Sequence, residues 1–422
     1  MAFKGEFTPP GDKSVSHRLV LMSIIGEGEM HVTGLSDCED VKSSLAIFRT
    51  LGGEASGSGA RWTLKGLGGK FLTNPSEPVE LDCGNSGTTM RLLSGILAGI
   101  PGIYVLDGDS QLRRRPMERV ADPLRRMGGQ VETTGGKPPV TITGSALHGI
   151  QYNNNDGSAQ LKSAVIFAAL SAEGPTRIFE PVPTRDHTER MLSAFGAKVC
   201  LCGQQEVEIN PGYPTLPESF NTPADPSAAA FFLTGAAIIP GSLVTANNIL
   251  LSGGRIGYLK VLDRMGASIA INMEQEKPEP SGTVTIEYKG RLTATEVEAE
   301  EVPSLIDEVP ILALAAARAE GVSVFRQVRE LRLKETDRLT AIKHQLGALG
   351  VRVWVENDDL FIEGTDSFIM PETLDSSHDH RMAMAIYIAL ALAGKSVPVI
   401  GDESIAISYP GFKEDLARLT SA

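Results

Sequence analysis

Runs of apolar residues, each opened by a short polar cluster, recur six times along the chain of 422 residues. The clusters are Lys13-Ser14, Asn85-Ser86-Gly87-Thr88, Ser158-Ala159-Gln160, Asp225-Pro226-Ser227, Asp307-Glu308 and Asp379-His380-Arg381. Each can cap the helix behind it, and runs such as AVIFAAL, AAAFFL, VPILALAAA and MAMAIYIALAL are apolar on every side, which predicts buried helices. A second recurrence is amphipathic. FRTLGGEA, LRRMGGQV, LSAFGAKV, LDRMGASI and LGALGVRV reach Gly52, Gly128, Gly196, Gly266 and Gly350 at spacings of roughly 70 to 85 residues. A glycine there suits a helix C-terminus, and the alternating stretches VTITG, VTIEYKG and LFIEG read as strand. The predicted unit is helix, glycine, β-hairpin, in six copies. The last helix, Phe412 to Leu419, has no glycine and hairpin behind it, while FKGEFTPPG at the start is a strand with no helix ahead. The N-terminus is therefore expected to complete the sixth unit.

If the buried helices point their N-termini the same way, three from each domain, their partial positive ends converge on one cleft. Lys13, Arg18, Arg115, Lys162, Lys334, Arg338 and Arg381 all fall at or near these helix starts. A cation there opposes the macrodipole by about 0.3 to 1 kcal/mol. Capping does not account for that choice, whereas an anionic ligand does. The stretch PPGDKSVSHR, Pro9 to Arg18, is the clearest case, with a glycine turn, Lys13 and Ser14 at the helix start and Arg18 one turn beyond Ser14. No glycine stands five residues before Gly11 and Asp12 separates glycine from lysine, so a triphosphate is not the expected guest.

Composition narrows the guest further. A formal charge of -13 and a pI near 5.1 argue against nucleic acid and anionic membrane, which need a broad basic footprint, so a cationic site must be local. The length allows two domains of ordinary size. MAFKGEF lacks the plan of a signal peptide, and the longest apolar run, Met382 to Ala393, is too short to span a bilayer, so a cytoplasmic location is expected. Cys38, Cys83, Cys200 and Cys202 do not make a disulfide scaffold in a chain this long. One C-x-C without companion ligands and no paired-histidine pattern predict no metal, and no dinucleotide fingerprint is present, so no cofactor is expected.

Seven motifs then fall in order along nearly the whole chain: GDKSVSHR (Gly11 to Arg18), CGNSGTTMR (Cys83 to Arg91), RRRPM (Arg113 to Met117), SAQLKSA (Ser158 to Ala164), RDHTE (Arg185 to Glu189), LKETDR (Leu333 to Arg338) and DHRMAM (Asp379 to Met384). Together they resemble the 5-enolpyruvylshikimate-3-phosphate synthase family. The resemblance implies an α/β fold of two inside-out α/β barrel domains, each of three βαβαββ-type units with buried parallel helices. It also implies domain crossings near Gly11 and Ala224, with residues 1–11 and 224–422 in one domain, residues 12–223 in the other, and the active site in the cleft between them. The implied reaction moves the enolpyruvyl group of phosphoenolpyruvate to the 5-hydroxyl of shikimate 3-phosphate and releases phosphate. A monomer acting on these two small molecules, compacting when shikimate 3-phosphate binds, is expected.

Both substrates carry a phosphate and a carboxylate, which accounts for the cations, since Arg binds such groups as a bidentate fork. Carried over by resemblance, Lys13 contacts both substrates and assists proton transfer, and Ser14 and Arg18 hold the shikimate carboxylate. Ser158, Ala159 through its backbone and Gln160 serve the shikimate phosphate, with Arg185 as a further candidate. Gly87, Arg115, Gln160, Arg338 and Arg381 form the phosphoenolpyruvate clamp. Asp307 is the base for the 5-hydroxyl, with Lys334 a substrate contact beside it, and Glu335 protonates the methylene and later takes a proton back. A carboxyl group that does both jobs is expected to be partly desolvated.

The sequence also departs from the family pattern. Many members carry a lysine before the aromatic-Pro pair near the C-terminus, whereas here the stretch is Ile405-Ala406-Ile407-Ser408-Tyr409-Pro410, so no phosphoenolpyruvate lysine is assigned there. Leu92 follows Arg91 where many members have proline. The forms SAQLKS and RDHTE resemble the branch that includes glyphosate-tolerant enzymes, while Gly87 keeps the small residue associated with sensitivity. The rival within the fold is the enzyme that uses UDP-N-acetylglucosamine as acceptor and relies on a loop cysteine. Here the loop before Pro116 is Ser110-Gln111-Leu112-Arg113-Arg114-Arg115. A non-catalytic phosphosugar-binding protein is the other alternative, and the paired acids Asp307 and Glu335 argue against it, because carboxylates are unfavourable beside polyanions unless they move protons.

Overall fold

The helices alternate between two kinds along the chain: α1 (Lys13–Ile25), α2 (Glu39–Thr50), α3 (Gly87–Ala98), α4 (Glu118–Arg126), α5 (Ala159–Ala169), α6 (His187–Ala194), α7 (Pro226–Ile238), α8 (Gly257–Arg264), α9 (Val309–Ala316), α10 (Arg338–Ala348), α11 (His380–Ala393) and α12 (Phe412–Ser421). The odd-numbered ones are apolar around the whole axis, and only burial accommodates that; every residue of α7 and of α9 is buried. The even-numbered ones bury one face, as α4 does with Val120, Ala121 and Leu124 while Arg125 and Arg126 face water. The computed structural model describes residues 2–70, 77–155, 157–203 and 205–421 and forms two compact units, Gly11–Thr222 and Met1–Pro10 with Pro223–Ala422. In the first, α3 packs against α1 and α5; in the second, α7, α9 and α11 pack on one another.

Helix ends follow the polar clusters and glycines of the sequence. Asp12, Ser86, Ser158, Asp225 and Asp379 cap α1, α3, α5, α7 and α11 by accepting a backbone N–H two or three residues on. Such a cap is worth about 0.5–2 kcal/mol. Lys13 and Ser14 lie inside α1, behind the cap. Before α9, Glu308 makes no capping bond, which leaves the Asp307 and Glu308 side chains to other partners. Helices α2, α4, α6, α8 and α10 run out into Gly52, Gly128, Gly196, Gly266 and Gly350, whose φ angles of +96°, +96°, +82°, +95° and +79° strain any other residue. In each, the glycine N–H and the next N–H bond back to carbonyls of the last turn, as Gly128 to Arg125 and Gly129 to Leu124 do, both at 2.9 Å.

Each complete repeat is strand, buried helix, parallel strand, outer helix, hairpin. Pro78–Asp82 leads into α3 and pairs in parallel with Ile103–Asp107; α4 follows, and the hairpin of Gln130–Thr134 and Lys137–Thr143 returns antiparallel. The repeats of α5 and α9 begin likewise, with Gln151–Asn153 and Glu296–Val297. At α1 and α7 the leading strands are exchanged. Ser219–Asn221, which precedes α7 in sequence, pairs with Glu29–Thr33 of the α1 repeat, and Lys4–Phe7, which precedes α1, pairs with Leu243–Ala246 of the α7 repeat.

This corrects the expectation that the N-terminus completes the sixth repeat. Its backbone joins the α7 repeat, whose strand edge is open because the segment just before α7 is spent elsewhere. The sixth repeat keeps only the two-stranded pair Leu374–Asp375 and Val399–Ile400 between α11 and α12. What the N-terminal strand shares with the sixth repeat is side-chain packing. Phe7 meets Phe232 edge-on at 5.1 Å, Phe232 stacks on Phe412 at 5.0 Å, and Arg418 Nη1 donates to the Glu6 carbonyl at 2.7 Å. Cys38 and Cys83 are buried free thiols, and Cys200 and Cys202 are exposed ones. Among the described residues no helix is long and apolar enough to cross a membrane.

Candidate active site

The predicted residues fall into two groups, one on each unit. In Gly11–Thr222 they gather at the N-terminal turns of α1, α3 and α5. Buried Asp12 accepts the Val15 N–H at 2.8 Å and sets Lys13 in the first turn of α1, where its Nζ lies 3.0 Å from Asp40 Oδ2. Ser14 stands beside it, and its carbonyl accepts from Arg18 Nη1 at 2.9 Å. Arg18 is 3% exposed; its Nε donates to Thr188 Oγ1 and its Nη2 to Ser163 Oγ, each at 2.8 Å. Between these cations, His17 is wholly buried, with Nδ1 2.9 Å from Ser44 Oγ, which is 2.8 Å from Thr89 Oγ1. Burial first, then Lys13 and Arg18, push the His17 pKa well below 6.5, so the ring is neutral at pH 7.

At α3, Ser86 caps and Gly87 opens the helix with its N–H groups uncovered by any side chain of its own. A Cβ at Gly87 would stand 2.8 Å from Arg115 Nη1 and 3.1 Å from Arg91 Nη1, so glycine lets the two guanidinium groups approach the helix end. Arg115 is 9% exposed and follows the turn Leu112–Arg114. Gln160, in the first turn of α5, is fixed at both ends: Oε1 accepts from Arg91 Nη1 at 2.5 Å and Nε2 donates to Thr88 Oγ1 at 2.9 Å. Ser158 caps that helix and Ala159 is its first residue. Arg185 is half-buried on the segment that runs from the strand Thr176–Phe179 to α6.

The second group is organised by Arg338, the first residue of α10, whose side chain is 1% exposed. Its Nε donates to Asp379 Oδ2 at 2.8 Å, its Nη1 to Asp307 Oδ1 at 3.3 Å and its Nη2 to Glu335 Oε2 at 2.6 Å. Burial works against the charge, but Asp379, Glu335 and Asp307 outweigh it and raise the guanidinium pKa. Asp307 also accepts from Lys334 Nζ at 3.1 Å. The carboxylates of Asp307 and Glu335 are 15% and 16% exposed, so both predicted acids are partly desolvated on the two nitrogens of one fork. Arg381, at the start of α11, donates through Nη1 to the Asp307 carbonyl at 3.2 Å and lies 3.4 Å from Glu308 Oε1. The third helix start of this unit is closed by protein: Arg255 Nη2 donates to Asp225 Oδ1 at 2.9 Å and Ser227 Oγ at 3.1 Å.

Sequence reasoning missed Asp40, Arg91, Thr188, Glu308 and Asp379 as supports of the predicted residues. Arg91, Thr188 and Asp379 stand inside quoted motifs, Asp379 also as a helix cap. Asp40 and Glu308 offered no signal beyond an acid near a helix start. Lys162, grouped in sequence with the ligand-facing cations, is buried against Glu180 and Glu189, so its anions are the protein's own.

Two units of three repeats around buried helices, five of the βαβαββ type and the sixth cut to a two-stranded pair, with cations and acids at the helix starts, define the inside-out α/β barrel fold of the enolpyruvyl transferases. The enolpyruvyl transferase NikO from Streptomyces tendae shares this fold, with a TM-score of 0.77 at 18% identity over 99% of this chain and 95% of that one. The sequence pattern of the EPSP synthase family (3-phosphoshikimate 1-carboxyvinyltransferase) matches residues 1–416. A 3-phosphoshikimate 1-carboxyvinyltransferase of Lactiplantibacillus plantarum is 42% identical over 419 residues, covering 99% of this chain and 96% of its own. One from a Synechococcus species is 42% identical over 426 residues, with the same coverage. The solved EPSP synthase of Acinetobacter baumannii superposes with a TM-score of 0.86 at 40% identity, over 99% of this chain and 96% of that one. The chain belongs to the EPSP synthase family.

Proposed function

We propose that this transferase moves the enolpyruvyl group of phosphoenolpyruvate to the 5-hydroxyl of shikimate 3-phosphate, by addition and then elimination, in the biosynthesis of chorismate and the aromatic amino acids. The observation that carries the reading is the pair Asp307 and Glu335, two partly desolvated carboxylates held by a single buried guanidinium. A site that only bound polyanions would gain nothing from them; a site that moves two protons needs both.

In the addition, Asp307 takes the proton of the 5-hydroxyl while Glu335, entering the step as the carboxylic acid after taking a proton from solvent, gives that proton to the methylene carbon, and the new C–O bond completes a tetrahedral intermediate. In the elimination, Glu335 takes a proton back from the methyl group, the C–H electrons re-form the C=C bond, the C–O bond to phosphate breaks and phosphate leaves with its electron pair, and the proton held by Asp307 passes to the released phosphate or to water. Lys13, Gly87 through its backbone, Gln160, Arg115, Arg338 and Arg381 face the phosphoenolpyruvate charges in this scheme. Preorganised donors of this kind stabilise a leaving dianion more than water does. Ser14 and Arg18 serve the shikimate carboxylate, Ser158, Ala159, Gln160 and Arg185 its phosphate, and Lys334 stays beside Asp307 as a further acceptor contact. The hydroxyl and amide donors around the first group support the binding assignments.

Phosphate release from phosphoenolpyruvate, without added metal, tests the reading with shikimate 3-phosphate and UDP-N-acetylglucosamine as rival acceptors. Release only with the shikimate compound is expected. Release only with the UDP-sugar would overturn the acceptor, and no release with either would return the chain to binding alone.

A further inference from the structure

Lys162 lies one turn inside α5, behind Ser158–Gln160, and is 1% exposed. Its Nζ is 2.6 Å from Glu180 Oε2 and 2.7 Å from Glu189 Oε1. Glu180 directly follows the strand Thr176–Phe179 and Glu189 lies in the first turn of α6, so one ammonium clips both ends of the strap 181–188 that carries Arg185. Glu180 holds the strap a second way: its Oε1 accepts from Asn154 Nδ2 and from Thr184 Oγ1, each at 2.7 Å. Stability alone is a poor reason for this cluster. Three ionisable groups taken from water cost several kcal/mol that their attraction repays only in good geometry, and apolar residues of similar size commonly do as well or better. Burial is also the leading influence on Glu189, raising its pKa against the pull of Lys162. What an ionic clip gives, and an apolar contact does not, is one fixed position for the strap.

We infer that Lys162, Glu180 and Glu189 are positioning residues that touch no substrate: they fix the strap bearing Arg185 relative to the Ser158–Gln160 end of α5 and thereby set affinity for the acceptor's phosphate. The phosphate role of Arg185 rests on the proposed function; the fixing of the strap does not. The motifs SAQLKSA and RDHTE, far apart in sequence, are then two parts of one device.

The test combines kinetics with trypsin cleavage after Arg185, which needs no substrate. Lys162→Met is expected to raise KM for shikimate 3-phosphate by about tenfold to a hundredfold, as displaced binding groups do, and to hasten cleavage. Turnover and KM for phosphoenolpyruvate should stay within about twofold, the signature of lost binding to one substrate. The neutral triple variant, Lys162→Met with Glu180→Gln and Glu189→Gln, removes the buried charge and keeps the test valid if the single variant does not fold. It should recover melting temperature while KM and cleavage stay altered; their return to wild-type values would overturn the inference. Arg185→Ala should cost less in the Lys162→Met background than in the wild type, and equal costs would also overturn it. Unchanged KM in Arg185→Ala itself would reject the phosphate role of Arg185, while faster cleavage in Lys162→Met would still support the clip.

Discussion

The two groups of predicted residues, one on each unit, bury their polar atoms with different proportions of neutral and charged contacts. On Gly11–Thr222 most of the contacts are neutral, from the Ser44, Ser86, Thr89, Ser163 and Thr188 hydroxyls, the Gln160 amide and a neutral His17, beside the ionic contacts of Lys13 with Asp40 and of Lys162 with Glu180 and Glu189. On the other unit, charge is set against charge, with Arg338 on three carboxylates, Arg381 near Glu308 and Arg255 on Asp225. Neutral donors and acceptors can turn toward a ligand at little cost. A saturated ion network is rigid and keeps acids in place. In the proposed scheme the first group holds anions, and the second both meets phosphoenolpyruvate through Arg338 and Arg381 and moves protons.

Arg338→Met should do most to break that contrast. It strips three carboxylates of their shared cation, and removing one partner of a buried network costs about 3–5 kcal/mol; a shift in the denaturation midpoint below about 1 kcal/mol would show the network to be less buried in solution. Next comes Glu335→Gln, expected to lower kcat by about a hundredfold to ten-thousandfold with little change in substrate affinity by calorimetry. A large loss of affinity instead would move Glu335 to the binding side of the comparison. Gly87→Ala tests the neutral half. Its methyl must displace Arg115 and Arg91, so KM for phosphoenolpyruvate should rise about tenfold, or about 1.4 kcal/mol, with KM for shikimate 3-phosphate nearly unchanged.

The smallest effect is with pH. The unfolded His17 takes a proton near 6.5 while the folded ring refuses it, so its contribution is present above 6.5 and lost as pH falls below it. The slope is at most about 1.4 kcal/mol per pH unit. Urea midpoints at pH 7.5 and 5.5 should fall less in His17→Gln than in the wild type, and equal falls would mean that the imidazole is protonated in the fold.

Much of this was legible in the sequence because it is periodic. The polar clusters at helix starts and Gly52, Gly128, Gly196, Gly266 and Gly350 at helix ends are local choices with local causes, and they mark the repeats. The strand exchange was not legible, since Lys4–Phe7 pairs wherever a strand edge is open, and chain order does not say which edge that is. Lys162 shows a second limit. Its place near a helix start reads as ligand-facing, and only burial between Glu180 and Glu189 shows that its partners are internal. Asp40 and Glu308 were missed for the same reason, since the cations they meet are named by proximity in space.

The exchanged strands also set an order of events during synthesis. Gly11–Thr222 closes its own sheet with Ser219–Asn221, the last strand it makes, and so is whole once that segment has left the ribosome. Lys4–Phe7 is made first and has nothing to pair with. The Phe3 N–H waits for Ser242, 239 residues later, an interval on the order of ten to fifty seconds at bacterial and eukaryotic rates of translation. A half-made chain is thus one finished domain preceded by a strand whose partner, Leu243–Ala246, has not yet been made.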